Sequence, residues 1–126
     1  HLYNIKVVPL IGPSSILLGL MASGLNGQGF TFNGYLPIDK KEKIKALRDL
    51  DSLVSRIGFT QIFMETPYRN QNLFEDVLKT CNAKHKLCVA VDITLETEEI
   101  RTLAVDEWKT QKIDLHKRPC MFLLGQ

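Results

Sequence analysis

The chain has 126 residues, 44% of them hydrophobic and 24% charged, with a formal net charge of +2. This is enough chain for one globular domain with a single core, read here as residues 1–126. It carries too little positive charge to imply nucleic-acid binding by charge alone. Cys81, Cys88 and Cys120 are odd in number and lack CxxC spacing. The expectation is therefore core thiols in a reducing cytoplasm, with neither a disulfide framework nor a structural zinc site. No apolar run approaches the roughly 20 residues that span a bilayer, and the first residues lack a signal pattern.

Residues 5–10 (IKVVPL) read as a strand, and Gly12-Pro13-Ser14-Ser15 turns it into a helix running to Gly24. Residues 30–36 (FTFNGYL) read as a strand, kinked or bulged at Gly34. Asp39 opens a helix, with Glu42 in the capping-box position. Ile44, Leu47, Leu50, Val54 and Ile57 form its apolar face. Lys40, Lys41, Lys43 and Lys45 form a basic run there, read as a solvated helix face in preference to a phosphate contact.

Residues 60–65 (TQIFME) give the next strand, and Thr66-Pro67 a cap and first turn. Leu73, Phe74, Val77, Leu78 and Cys81 then mark an amphipathic helix. Strands follow at 87–93, 98–105 and 119–125, with a short helix from Asp106 to Trp108 between the last two. Trp108, Met64 and Met121 are expected in the core, and His1, His85 and His116 on the surface. The interleaving predicts an α/β fold, a mixed sheet flanked by helices with antiparallel strands towards the end.

Glycine-rich nucleotide loops, a Walker loop and a GxSxG elbow are absent from the sequence, and no histidines have metal-ligand spacing. Two strand-to-helix loops hold the candidate chemistry. Gly12-Pro13-Ser14-Ser15 offers free N–H groups and hydroxyls to a polar ligand, or else forms a plain helix cap. Glu65-Thr66-Pro67-Tyr68-Arg69 gathers a carboxylate, a hydroxyl, a phenol and a guanidinium, or else a Thr cap beside a local Glu–Arg pair.

Val7-Val8-Pro9, the Gly12–Ser15 loop, Ala22-Ser23-Gly24-Leu25, Phe32-Asn33-Gly34-Tyr35-Leu36-Pro37 and residues 62–69 (IFMETPYR) occur in this order. Together they resemble the C-terminal domain of the tetrapyrrole methylase superfamily, along nearly the whole chain. Residues 62–69 are similar to the segment of its branch of bacterial ribosomal RNA small-subunit 2′-O-methyltransferases. Thr66 and Tyr68 stand where that branch usually has serine and histidine, and Ile11 where proline is common.

The resemblance implies a two-domain fold with S-adenosylmethionine in the cleft between domains, the N-terminal domain being absent from this chain. It implies cofactor contacts at Ser14, Ser15, Met64, Glu65, Ile93, Thr94, Pro119 and Cys120. It further implies a homodimer and ribosomal RNA as substrate, alongside the cytoplasmic location read from the cysteines and the absence of a metal site read from ligand spacing. Glu65, Tyr68 and Arg69 are the candidates for catalysis: Glu65 or Tyr68 to activate a ribose hydroxyl, Arg69 to hold phosphate or pair with Glu65. Two alternatives stay open, methylation of a corrin or porphyrin precursor and a non-catalytic dimerisation or regulatory module.

Overall fold

A computed structural model describes residues 15–126. The strand expected at 5–10 and the residues Gly12, Pro13 and Ser14 lie outside that range.

Helix α1 (Ser15–Ser23) leads to strand β1 (Phe30–Tyr35), helix α2 (Lys40–Ile57), strand β2 (Thr60–Met64), a 3-10 turn (Pro67–Arg69) and helix α3 (Asn70–Thr80). Strands β3 (Lys86–Val91) and β4 (Glu99–Ala104), the short helix α4 (Val105–Trp108) and strand β5 (Cys120–Gly125) complete the described chain. The five strands form one sheet in the order β1-β2-β5-β3-β4. Among the described strands only the pair β1–β2, joined by α2, is parallel; the other pairings are antiparallel.

The local signals act as chemistry requires. Asp39 caps α2 by accepting from the Glu42 N–H at 3.1 Å. Gly58 closes that helix at φ 71°, its N–H reaching the Val54 carbonyl at 3.0 Å, a left-handed position that glycine fills without a Cβ clash. Gly34 has φ 66°, and the β1–β2 register shifts between Phe32 and Tyr35, the expected bulge.

The central strands are buried on both faces and alternate between two cores. Phe63, Leu87, Val89, Val91, Phe122 and Leu124 face α2, α3 and α4. Ile62, Cys88, Ala90, Met121 and Leu123 face α1. Phe63 stacks on Phe122 at 5.8 Å. Trp108 packs edge-on against Phe74 at 5.3 Å, and its indole donates to the Leu87 carbonyl at 2.8 Å, so it is core as expected. All three cysteines are buried and free. Among the described residues no helix is long and apolar enough to cross a membrane.

Four expectations are corrected. His85 is buried, not superficial: its ring reaches Asp51 at 2.6 Å and Ser55 at 3.2 Å, polar partners that sequence spacing does not reveal. Lys43 leaves the solvated lysine face and is buried, because Glu65 and Asp76 converge on it. Ile57, the last residue of α2, is exposed, since the helix outruns its core contact. Met64 is only half-buried, because it ends β2 beside a cavity.

Gly58→Ala forces a Cβ into left-handed backbone, 3.3 Å from the Gln126 side-chain oxygen. It should lower stability by about 1 kcal/mol, read as a lower urea midpoint at unchanged slope.

Candidate functional site

Because β5 runs antiparallel to both β2 and β3, its first residues lie beside the last residues of those strands. The start of α1 comes to the same end of the sheet. A cavity of about 460 Å3 opens there, lined by Ser15, Ile16, Met64, Ala90, Asp92, Ile93, Leu95, Pro119, Cys120 and Met121. Its walls are mostly apolar, and its volume falls in the range of small-molecule sites, roughly 300–1,000 Å3. No group of three or more His, Cys, Asp or Glu side chains among the described residues could hold a metal ion.

The polar frame of the cavity is Asp92, which the sequence reading does not single out. β3 ends at Val91, and Asp92 turns the chain with φ 52°, followed by Thr94 at φ 72°. Such left-handed backbone in non-glycine residues persists only when its surroundings hold it. Here they do. The Asp92 N–H donates to the Pro119 carbonyl at 2.9 Å, and the Leu95 N–H to the Asp92 carbonyl at 2.9 Å. The Asp92 carboxylate accepts from Arg118 Nε at 2.9 Å and Thr97 Oγ1 at 2.8 Å. Arg118 also donates to the carbonyls of Asp114 and Thr97. Burial pushes the Asp92 carboxyl upwards, but the hydrogen bonds from Arg118 and Thr97, with the guanidinium charge, outweigh it and hold it below the ordinary carboxylate value. Burial, with the charge of nearby groups, pushes the Cys120 thiol well above its ordinary value, so it is an inert wall group.

Of the residues expected at a cofactor, Ser15, Met64, Ile93, Pro119 and Cys120 line this cavity. Thr94 lies in the adjoining turn, its N–H bound by Glu98 at 2.9 Å. Glu65 belongs to the opposite face, as strand alternation after Met64 demands. Its carboxylate, nearly inaccessible, lies 3.6 Å from Lys43 Nζ and 4.0 Å from Arg69, and accepts from the Thr66 N–H at 2.8 Å. Asp76 shares Lys43 at 4.0 Å. Among the described residues, Glu65 Oε2 has no hydrogen-bond partner. The local Glu–Arg pairing is therefore present, but the carboxylate points into a buried ion cluster between β2, α2 and α3. Thr66 occupies the cap position without a side-chain cap bond. Tyr68 is 71% exposed on the 3-10 turn.

The turn is fastened to the segment before β5. Asn70, fully buried, donates to the Arg118 carbonyl at 2.6 Å, and the Lys117 N–H donates to the Pro67 carbonyl at 3.3 Å. Sequence spacing gives no hint of this contact, which joins residues nearly fifty positions apart.

No family model matches the chain. Its sequence is similar to proteins named ribosomal RNA small subunit methyltransferase I. It is 33% identical to the one from Vibrio cholerae over 104 residues, covering 82% of this chain and 35% of that protein. It is 32% identical to the one from Mesorhizobium japonicum over 100 residues, covering 79% and 33%. The chain thus spans about a third of the length of the curated relatives it matches. Its fold is shared with the methyltransferase CobJ (TM-score 0.58, 16% identity, 91% of this chain and 48% of that one). It is shared equally with the cobalt precorrin-4 methyltransferase CbiF (TM-score 0.58, 18% identity, 97% and 52%). The expected tetrapyrrole methylase-like α/β architecture is what the chain adopts.

Two outcomes test this description. Glu65→Gln leaves Lys43 with only the more distant Asp76 and should cost about 3 kcal/mol, the scale of a broken buried ion pair, in urea denaturation. Asp92→Asn should be less stable than the parent at pH 7. Because the native carboxyl titrates below its ordinary value, its contribution is complete above that value and disappears as pH falls through the native one. The two stabilities should therefore converge as the pH falls below the point at which the native carboxyl takes up its proton.

Proposed function

We propose that this chain is part of an S-adenosylmethionine-dependent methyltransferase acting on ribosomal RNA, with a ribose 2′-hydroxyl as acceptor, and that its apolar cavity holds the cofactor. The observation that carries the reading is the cavity itself: five residues that the family resemblance places at the cofactor come from four separate segments and meet around it. The names of the sequence relatives support the choice of RNA. Since the chain spans about a third of those relatives, the reading includes a further domain that closes the other side of the site, and a cytoplasmic setting.

The residues present fit such a ligand. Ala90 is among the lining residues, and Met64, Ile93, Leu95 and Met121 give an adenine ring dry contact area. The cofactor, when bound, supplies a methyl group on a positively charged sulfur. What the chain supplies is alignment and exclusion of water, the main protein contributions to an in-line transfer. Asp92 and Arg118 neutralise each other beside the cavity and fix the 92–97 turn as its wall. Glu65, turned towards Lys43, acts as a support for the 66–69 turn.

Homodimerisation belongs to the same proposal. Strand β1, at the edge of the sheet among the described residues, exposes Phe30, Phe32 and Tyr35, an apolar edge of the kind proteins cover. The apolar walls of the cavity, without a ring of cations among the described residues, favour adenosine over a polycarboxylate macrocycle at this position.

The test is a calorimetric titration of S-adenosylhomocysteine into the full-length protein. Saturable binding is expected. Ala90→Leu, which adds bulk to the lining, should weaken it at least tenfold, about 1.4 kcal/mol, while unfolding stays cooperative. Absence of binding by the full-length protein removes the methyltransferase reading.

A further inference from the structure

Tyr68 is the most exposed tyrosine among the described residues, at 71%, and it is not a loose side chain. His116 meets its ring edge-on at 6.4 Å between centroids, and Lys117 Nζ stands 5.8 Å from the ring centroid. Beneath these contacts the backbone is locked by Asn70, Gln71 and the Lys117 N–H. Lys117 has φ 58°, left-handed backbone in a residue for which glycine is the relaxed choice. A lysine kept there at a cost in strain, with its ammonium beside an exposed ring, is the signature of a site held for something other than stability. Arg69, the next residue, turns instead towards Glu65 at 4.0 Å and leaves Lys117 as the cation on the ring.

The place of this cluster matters as much as its chemistry. Tyr68 follows the cavity residue Met64 by four positions, and Lys117 precedes the cavity residue Pro119 by two. Two residues of chain span at most about 7 Å. The ring and its cation are therefore carried by the two segments that also supply residues to the cavity.

On the reading of the chain as an RNA methyltransferase, we infer that Tyr68 is a stacking platform for an unpaired base neighbouring the acceptor ribose, with Lys117 taking an adjoining phosphate. Bases of single-stranded RNA stack on exposed aromatic rings, while paired RNA keeps its base faces covered. The platform thus selects substrates whose target is unpaired. With His116 and Lys117 against it, the ring still keeps 71% of its surface exposed for a base. Tyr68 is in this account a positioning residue.

The experiment uses the full-length protein, tritiated S-adenosylmethionine and small-subunit ribosomal RNA. Tyr68→Ala should raise the KM for RNA roughly tenfold, with kcat and cofactor affinity little changed, while Tyr68→Phe restores the parent KM. Lys117→Gly separates recognition from folding: it relieves the strained backbone, so thermal stability should hold or rise while RNA affinity falls. Tyr68→Trp should lose fluorescence on adding a single-stranded RNA oligonucleotide and not on adding the same sequence as a duplex, above the constant signal of buried Trp108. If RNA is methylated but Tyr68→Ala leaves KM unchanged, the platform is overturned and the methyltransferase reading stands. If Tyr68→Ala loses stability in step with activity, the ring is packing, and the inference fails. If the parent binds cofactor yet neither binds nor methylates RNA, the RNA reading and the platform fall together.

Discussion

The insertion of β5 between β2 and β3 is the constraint on which the molecule rests. A strand in that position needs apolar residues on both faces, and 120–125 (CMFLLG) supplies them, every residue buried. Its direction decides the rest. Running antiparallel to both neighbours, it carries Pro119, Cys120 and Met121 to the ends of β2 and β3. A parallel strand would put those residues at the far end of the sheet and leave no cavity. The two cores are consequences of the same alternation. Phe63 and Phe122 stack on one face, while Ile62 and Met121 pack beneath α1 on the other.

Charge is handled differently on the two faces at this end of the sheet. On the cavity side, Asp92 and Arg118 make a short, directional pair at 2.9 Å, with further bonds to Thr97 and two carbonyls. On the other side, Lys43, Glu65, Asp76 and Arg69 lie 3.6 to 4.0 Å apart, ion contacts longer than hydrogen bonds. The first arrangement fixes one geometry for a turn. The second leaves a carboxylate oxygen without a hydrogen bond among the described residues and tolerates small rearrangement. The 66–69 turn, with Tyr68 on it, therefore rests on an electrostatic cushion below and on the 115–118 segment beside it.

Much of this was legible before any coordinates. The cap at Asp39, the bulge at Gly34, the amphipathic faces of α2 and α3 and the buried strands follow from local rules. Strand ends moved by one or two residues, as at 91 against an expected 93, because Asp92 leaves the extended region for reasons 26 residues away, at Arg118. The candidate site was half legible. Ser15, Met64, Ile93, Pro119 and Cys120 came from resemblance and meet at one cavity, while Glu65 beside them faces the other way. Strand parity was in the sequence all along, but which face holds a cavity was not.

By itself, then, the sequence determined the elements, their order and the apolar residues that must be covered, because these depend on periodicity and on capping within a few residues. The tertiary structure decided the direction of β5, the burial of His85 and Lys43, the pairing of Asp92 with Arg118 and the setting of Tyr68 against His116 and Lys117. Each of these joins residues 20 or more positions apart, and no local preference encodes which distant partner will arrive.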